Sequence, residues 1–298
     1  MFLGIVTGLV SALFMSLSYI FSRIYFRQYP DPVQLAVHSL IIMGIWGAIL
    51  LGICSLFLKI PWGGRFLLLT LGETVFFLIS QTCFFLLLKE VEASRAASLL
   101  GLKLIAIALL SACFGQFPNF YQALAIVLCT IAAVGMNFSG GKLTFASILY
   151  LLSAAFFYSA CDICITEMMK MMPAENSMLT NALGVMGVCY TAMGSVTLPF
   201  LWKYPFRKEL VSATLKYSFF YFSSILFLMA CFGAVGVVFG SILQAGRGIL
   251  SVLLGVILLK LGWEKNEPDV SRKVWIRRLI MAVLMVCAMT LYTVNSIQ

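Results

Sequence analysis

Polar residues all but disappear from this chain for about twenty positions at a time, and that spacing leaves few folds open. Of the 298 residues, 62% are hydrophobic and 10% are charged, where a soluble domain carries about 25% charged residues. A helix needs about 20 apolar residues to cross the hydrocarbon core. Within that core every backbone polar group must be satisfied internally, which leaves helices and closed barrels. Breaks at charge, Pro and Gly clusters divide the chain into expected spans at 1–22, 33–58, 66–88, 96–114, 120–139, 143–166, 178–202, 214–232, 236–261 and 274–296. The expectation is an all-α, multi-pass membrane protein of ten transmembrane helices. The longest stretches between spans, Trp202 to Lys216 and Gly262 to Lys273, are too short to fold by themselves.

The first basic residue is Arg23, so the run from Met1 to Ser22 lacks the basic start of a secretory leader and reads as the first span. The net charge of +9 comes from Lys and Arg spread through short loops, with no basic domain, which argues against a nucleic-acid partner. The nine cysteines are scattered through apolar runs. Only Cys161 and Cys164 make a C-x-x-C spacing, and small apolar fillers account for them. No cofactor or metal is expected.

The two halves of the chain, 1–139 and 140–298, echo each other. The first span carries Gly-Leu-Val-Ser11-Ala12-Leu-Phe14 and the sixth carries Tyr-Leu-Leu-Ser153-Ala154-Ala-Phe156. The fourth reads Ser98-Leu-Leu-Gly-Leu-Lys103 and the ninth Ser241-Ile-Leu-Gln-Ala-Gly-Arg247, each followed by an apolar run. Five spans is an odd number, so two such halves in one chain sit inverted in the bilayer. Inverted five-helix repeats with a site at their interface are a transporter architecture. Gly4-x-x-x-Gly8 and Gly236-x-x-x-Gly240 add small-residue faces for close helix packing.

Of the twenty Lys and Arg, fifteen flank odd-to-even connections and three (Lys59, Arg65, Lys170) flank the others. Lys103 and Arg247 remain, near the middles of matching spans. A cation at the bilayer centre costs roughly 2.5–3.5 kcal/mol on insertion scales, so a pair of them points to a hydrated or ligand-filled cavity between helices. Two acids, Glu73 and Asp162, also fall inside spans, as does the single histidine, His38. One reading pairs Glu73 with Lys103 and Asp162 with Arg247 as structural ion pairs. The other gives Lys103 and Arg247 an anionic group of a substrate, Arg as a planar fork and Lys as a point charge. Glu73 and Asp162 then hold a cationic part of the substrate, carry a coupling proton, or balance the bases. His38 either joins the site or bonds a neighbouring helix. Among many aromatics, Tyr19, Phe157 and Tyr158 lie near the repeated segments and are candidate cavity walls.

These features favour a secondary transporter, not an enzyme. It would move a small polar metabolite with an anionic group (an organic anion, a zwitterion such as an amino acid, or a nucleotide- or phosphate-type molecule) by alternating access. The partners expected are the small-molecule substrate, the lipid bilayer, and a proton or exchanged counter-substrate. H-E-x-x-H and G-x-S-x-G signatures are absent, which argues against an intramembrane hydrolase. The alternatives are a lipid flippase, or a multidrug or amino-acid exporter of the same fold. The loop charges put the odd-to-even connections in the cytoplasm and both termini outside.

Ten spans in two fives and a length near 300 residues resemble the drug/metabolite transporter superfamily. In its common bacterial, EamA-like branch the fourth and ninth spans end in Leu-Gly-Glu, with a Pro about a dozen residues earlier. Here the fourth ends Phe114-Gly115-Gln116, with Lys103 near the Pro position, and the ninth ends Lys260-Leu261-Gly262-Trp263-Glu264. The basic residue of that family's second span falls near His38. Nucleotide-sugar and sugar-phosphate translocators carry a Lys in the fourth span and a Lys or Arg in the ninth that contact phosphates. Gly101-Leu102-Lys103-Leu104-Ile105 and Gly246-Arg247-Gly248-Ile249-Leu250 are similar to those segments. The resemblance implies a bacterial inner-membrane transporter with both termini in the cytoplasm, opposite to the orientation that the loop charges favour.

Overall fold

A computed structural model describes the chain except for residues 91–98, 114, 116, 137–142, 207, 248–249, 251–253, 255–271 and 298. The described elements are helices: α1 (Phe2–Gln28), α2 (Pro32–Cys54), α3 (Gly64–Glu90), α4 (Lys103–Cys113, entered through a 3₁₀ turn at Leu100–Leu102), α5 (Phe120–Met136), α6 (Phe145–Met171), α7 (Met178–Thr197), α8 (Lys208–Val235), α9 (Val237–Ala245) and α10 (Arg272–Ile297). Six stretches are long and apolar enough to cross a membrane: Phe2–Phe26, Pro32–Cys54, Gly64–Leu87, Phe145–Met171, Met178–Trp202 and Lys208–Val235. Shorter apolar stretches, Leu100–Cys113, Phe120–Gly135 and Ile280–Tyr292, lie within the fourth, fifth and tenth expected spans. Most of the ninth expected span after Arg247 lies outside the described residues, as do Ser98, Gln116 and Lys260 to Glu264.

Helix starts follow local chemistry. Asp31 accepts from the backbone N–H groups of Val33 and Gln34 with Pro32 at the first helical position, a combination that satisfies otherwise unpaired donors. Thr144 and Ser177 cap α6 and α7 in the same way, bonding the N–H groups of Ser147 and Thr180. α8 begins six residues before its expected span, and within that extension Leu210 is buried against the bundle. α8 and α9 are parted by Gly236 at φ +80°, a left-handed backbone that glycine adopts without a Cβ clash.

The most extensive pairings are α1 with α8, α3 with α6, α2 with α7 and α5 with α10. Exchanging each helix for the one five places on turns α1–α8 into α6–α3 and leaves α2–α7 and α5–α10 unchanged. The smaller α4–α6 and α9–α1 contacts also interchange. α2 and α7 cross on glycine: a Cβ at Gly44 would lie 2.6 Å from the Cα of Gly194.

Two main apolar cores result, with a third, smaller cluster around Phe84, Leu87, Leu100 and Leu151. The larger of the two draws mainly on α1, α2, α3, α6, α7 and α8, around Leu35, Met43, Phe66, Met168, Met186 and Phe232, and reaches Ile107 of α4 and Val237 of α9. The smaller joins α4, α5, α9 and α10 through Leu104, Cys129, Ile242 and Met285. Outward faces stay apolar, as on α3 at Leu68, Leu71, Val75 and Ile79, which suits contact with lipid tails.

Candidate functional site

The helices that carry the two basic residues are both interrupted just before them. The 3₁₀ turn at Leu100–Leu102 precedes Lys103, and a turn at Gly246 precedes Arg247. Gly101 lets the first turn approach α5, since a Cβ there would meet Ala133. Each cation's own carbonyl is then held from the opposite half. Ser159 Oγ on α6 lies 3.2 Å from the carbonyl of Lys103 and 2.7 Å from that of Ala155 in its own helix, and Ser16 Oγ on α1 lies 3.0 Å from the carbonyl of Arg247 and 2.8 Å from that of Ala12, so each hydroxyl proton is shared between the two carbonyls. Both serines are fully buried. A broken helix inside a membrane needs such partners for its displaced backbone groups.

Lys103 and Arg247 line one cavity of about 60 Å³, together with Glu73, Asp162, Tyr19 and Tyr158. Its walls repeat between halves. Glu73, Phe77, Gln81 and Phe84 of α3 have the same spacing as Tyr217, Tyr221, Ile225 and Leu228 of α8. Leu100 and Lys103 match Gln244 and Arg247. Met15 and Tyr19 of α1 match Tyr158 and Asp162 of α6, each second residue lying three beyond the serine that holds a cation's carbonyl.

The chemistry within this frame is asymmetric. Lys103 Nζ lies 2.5 Å from Asp162 Oδ2, with side chains 13% and 7% exposed. The ammonium also sits 5.7 Å from the Tyr158 ring centre, and the Tyr158 hydroxyl donates to Gln81 Oε1 at 2.5 Å. The Arg247 guanidinium lies 5.6 Å from the Tyr19 ring centre, a cation–π arrangement, and among the described residues no carboxylate is within ion-pair distance of it. Glu73 is buried at 1% exposure. Its Oε1 receives a long contact from the Cys161 thiol at 3.6 Å, and its Oε2 has no hydrogen-bond partner among the described residues.

The pairing expected from sequence, Glu73 with Lys103 and Asp162 with Arg247, is therefore corrected. Asp162 takes Lys103, because α6 packs on α4 and brings position 162 to the ammonium, while Glu73 stays apart on α3. His38 is outside this cavity. Its Nε2 bonds the carbonyl of Tyr204 at 3.0 Å and its ring stacks on Phe206 at 4.5 Å, so it anchors the α7–α8 connection. Phe157 packs on Phe76, also away from the cavity lining. Cys161 and Cys164 are both buried with free thiols.

Sequence reasoning passed over Gln81, Gln244, Tyr190, Tyr217 and Tyr221, all of which line the cavity. A glutamine in the middle of an apolar run was the available signal for the first two. It also aligned Ser11 with Ser153, whereas the packing makes Ser16 and Ser159 equivalent. Ser11 instead meets Ser224 across the α1–α8 contact, Oγ to Oγ at 3.2 Å.

A buried water occupies on the order of 10–15 Å³ by a comparable measure, and small-molecule sites commonly run about 300–1,000 Å³. In this conformation the cavity admits a few waters or one small group.

Among curated proteins, none matches the chain. Against solved structures the whole fold has counterparts: one crystal structure of a protein aligns with a TM-score of 0.69 at 14% identity, over 98% of this chain and 97% of that one. At that identity the likeness is one of fold. Residues 2–138 match the model of the EamA-like transporter family. That match lies within the first half of the chain; with the apolar helices it points to a multi-pass membrane protein and is consistent with the drug/metabolite transporter superfamily.

Proposed function

We propose that the protein is a secondary transporter of ten spans, in which 1–139 and 140–298 are five-helix repeats inverted in the bilayer. It moves a small polar metabolite with an anionic group by alternating access. The observation that carries this reading is that Lys103 and Arg247, on interrupted helices at matching places in the two halves, line a single cavity. Interrupted helices facing a site between inverted repeats are how transporters expose polar groups at membrane depth. The interchange of helix pairings between halves supports the repeat, and the family match over the first half supports transport.

The positive side of the cavity attracts the anionic group, since charges in a low-dielectric site act more strongly than in water. Glu73 is available for a coupling proton or for a cationic part of the substrate. The small volume corresponds to a closed arrangement that widens as the helices rock. A bacterial inner membrane is the setting that the EamA-like resemblance implies. The test is uptake into proteoliposomes. Lys103→Ala and Arg247→Ala each abolish accumulation of the transported anion while the protein still inserts and melts cooperatively; normal transport by both variants would sink the reading.

A further inference from the structure

The cavity is charged unevenly across its own pseudo-symmetry. Tyr19 and Asp162 occupy equivalent places, and each faces the cation held by the other half's broken helix. In one half that partner is a carboxylate 2.5 Å from the ammonium. In the other it is a neutral aromatic ring 5.6 Å from the guanidinium. A close carboxylate cancels the charge of Lys103 locally, whereas a ring leaves the charge and the donors of Arg247 usable and gives a flat surface beside them. Tyr217 and Tyr221, stacked 5.6 Å apart, supply more aromatic wall beyond Phe77.

We propose that the site takes a ligand with a single anionic group on an aromatic or apolar body, that Arg247 with the Tyr19 ring holds the anion, and that Asp162 withholds Lys103 from it. This rests on the transport reading above and narrows it, because two available cations would suit a dianion and one suits a carboxylate. It also changes the role of Lys103, which keeps Asp162 from repelling the ligand and does not touch the anion.

The experiment measures binding of 3-phenylpropionate to the full-length protein in detergent, through the concentration dependence of its melting temperature, since a ligand that binds the folded state raises apparent stability. Lys103→Gln weakens binding at least tenfold by unmasking Asp162. The double variant Lys103→Gln/Asp162→Asn recovers at least fivefold of that loss, as no direct ligand could. Tyr19→Asp, which gives Arg247 the carboxylate that Lys103 already has, weakens binding at least tenfold. A double variant that binds no better than Lys103→Gln overturns the inference and leaves the transport reading standing. A wild-type protein that does not bind 3-phenylpropionate but binds phenyl phosphate also overturns it alone, and one that binds neither removes the anion site and the substrate reading with it. Should Lys103→Gln fail to fold, wild type and double variant are compared with both ligands; a double variant that loses 3-phenylpropionate overturns the inference, and one that keeps it supports it.

Discussion

Ser159 shares its hydroxyl proton between Ala155 of its own helix and the backbone carbonyl of Lys103, joining the second half of the chain to the interrupted helix of the first. Ser16 repeats the arrangement on Arg247 in the opposite sense. Each bond fixes a cation through its backbone and leaves the side chain to the cavity.

Removing either hydroxyl takes one donor from a buried carbonyl, and an ordinary hydrogen bond contributes about 0.5–1.5 kcal/mol net. Ser159→Ala and Ser16→Ala are each expected to lower the melting temperature measurably. They also slow uptake more than an alanine at Ser18, whose hydroxyl bonds only within its own helix. Equal transport rates for all three would deny the two serines a part in positioning.

The two cavity acids have different surroundings, and their substitutions separate. Asp162→Asn leaves the Lys103 ammonium without its counter-charge, and breaking a buried ion pair costs about 3–5 kcal/mol. Poor folding is therefore its first effect. Glu73→Gln breaks no ion pair and is expected to fold. If Glu73 carries the coupling proton, the variant transports with a flat pH profile; a wild-type profile in Glu73→Gln removes that role from it.

At the far end of α3, outside the spans, Glu90 accepts from Ser147 and from Thr144 Oγ1, the latter at 2.6 Å. These bonds, Ser147 first, hold its carboxyl below the usual carboxylate range. A depressed folded value means that the contribution is whole above the ordinary carboxylate pKa and is lost as pH falls through the lower one. Melting curves of wild type and Glu90→Gln should therefore differ near neutrality and converge in acid. A gap that persists or widens at low pH would contradict this.

The α2–α7 crossing tolerates no side chain at Gly44, where a Cβ would meet backbone on the partner helix. Overpacking of this kind costs about 1–3 kcal/mol. Gly44→Ala is expected to reduce the yield of folded protein in detergent. Gly52→Ala on the same helix, which meets nothing within 4 Å, serves as the contrast; equal yields would mean that the helices separate without penalty.

Much of this was readable beforehand because hydropathy and charge act through composition alone. The apolar runs located the helices, and the cost of intramembrane charge singled out Lys103, Arg247, Glu73 and Asp162. What stayed hidden depends on rotation about helix axes and on which helices touch. No pattern in the chain says that α6 packs on α4, so the partner of Lys103 was assigned to Glu73. His38 stood out by being solitary, yet its role is set by Tyr204 and Phe206 in a connection that hydropathy cannot place. The serine register was off by one because Ser11 and Ser153 of Ser-Ala-x-Phe are 142 residues apart, whereas Ser16 and Ser159, which carry the equivalent bonds, are 143 apart.

The smaller apolar core joins Leu104 of α4 to Ile242 of α9, beside the two cations, while Tyr19 and Asp162 stand on α1 and α6, which belong to the larger core. Ile107 and Val237 tie α4 and α9 to that larger core as well. A tilt of α4 and α9 against α1 and α6 would stretch the ion pair and the ring contact in the same stroke, so widening the chamber that way would loosen its grip on both charges at once.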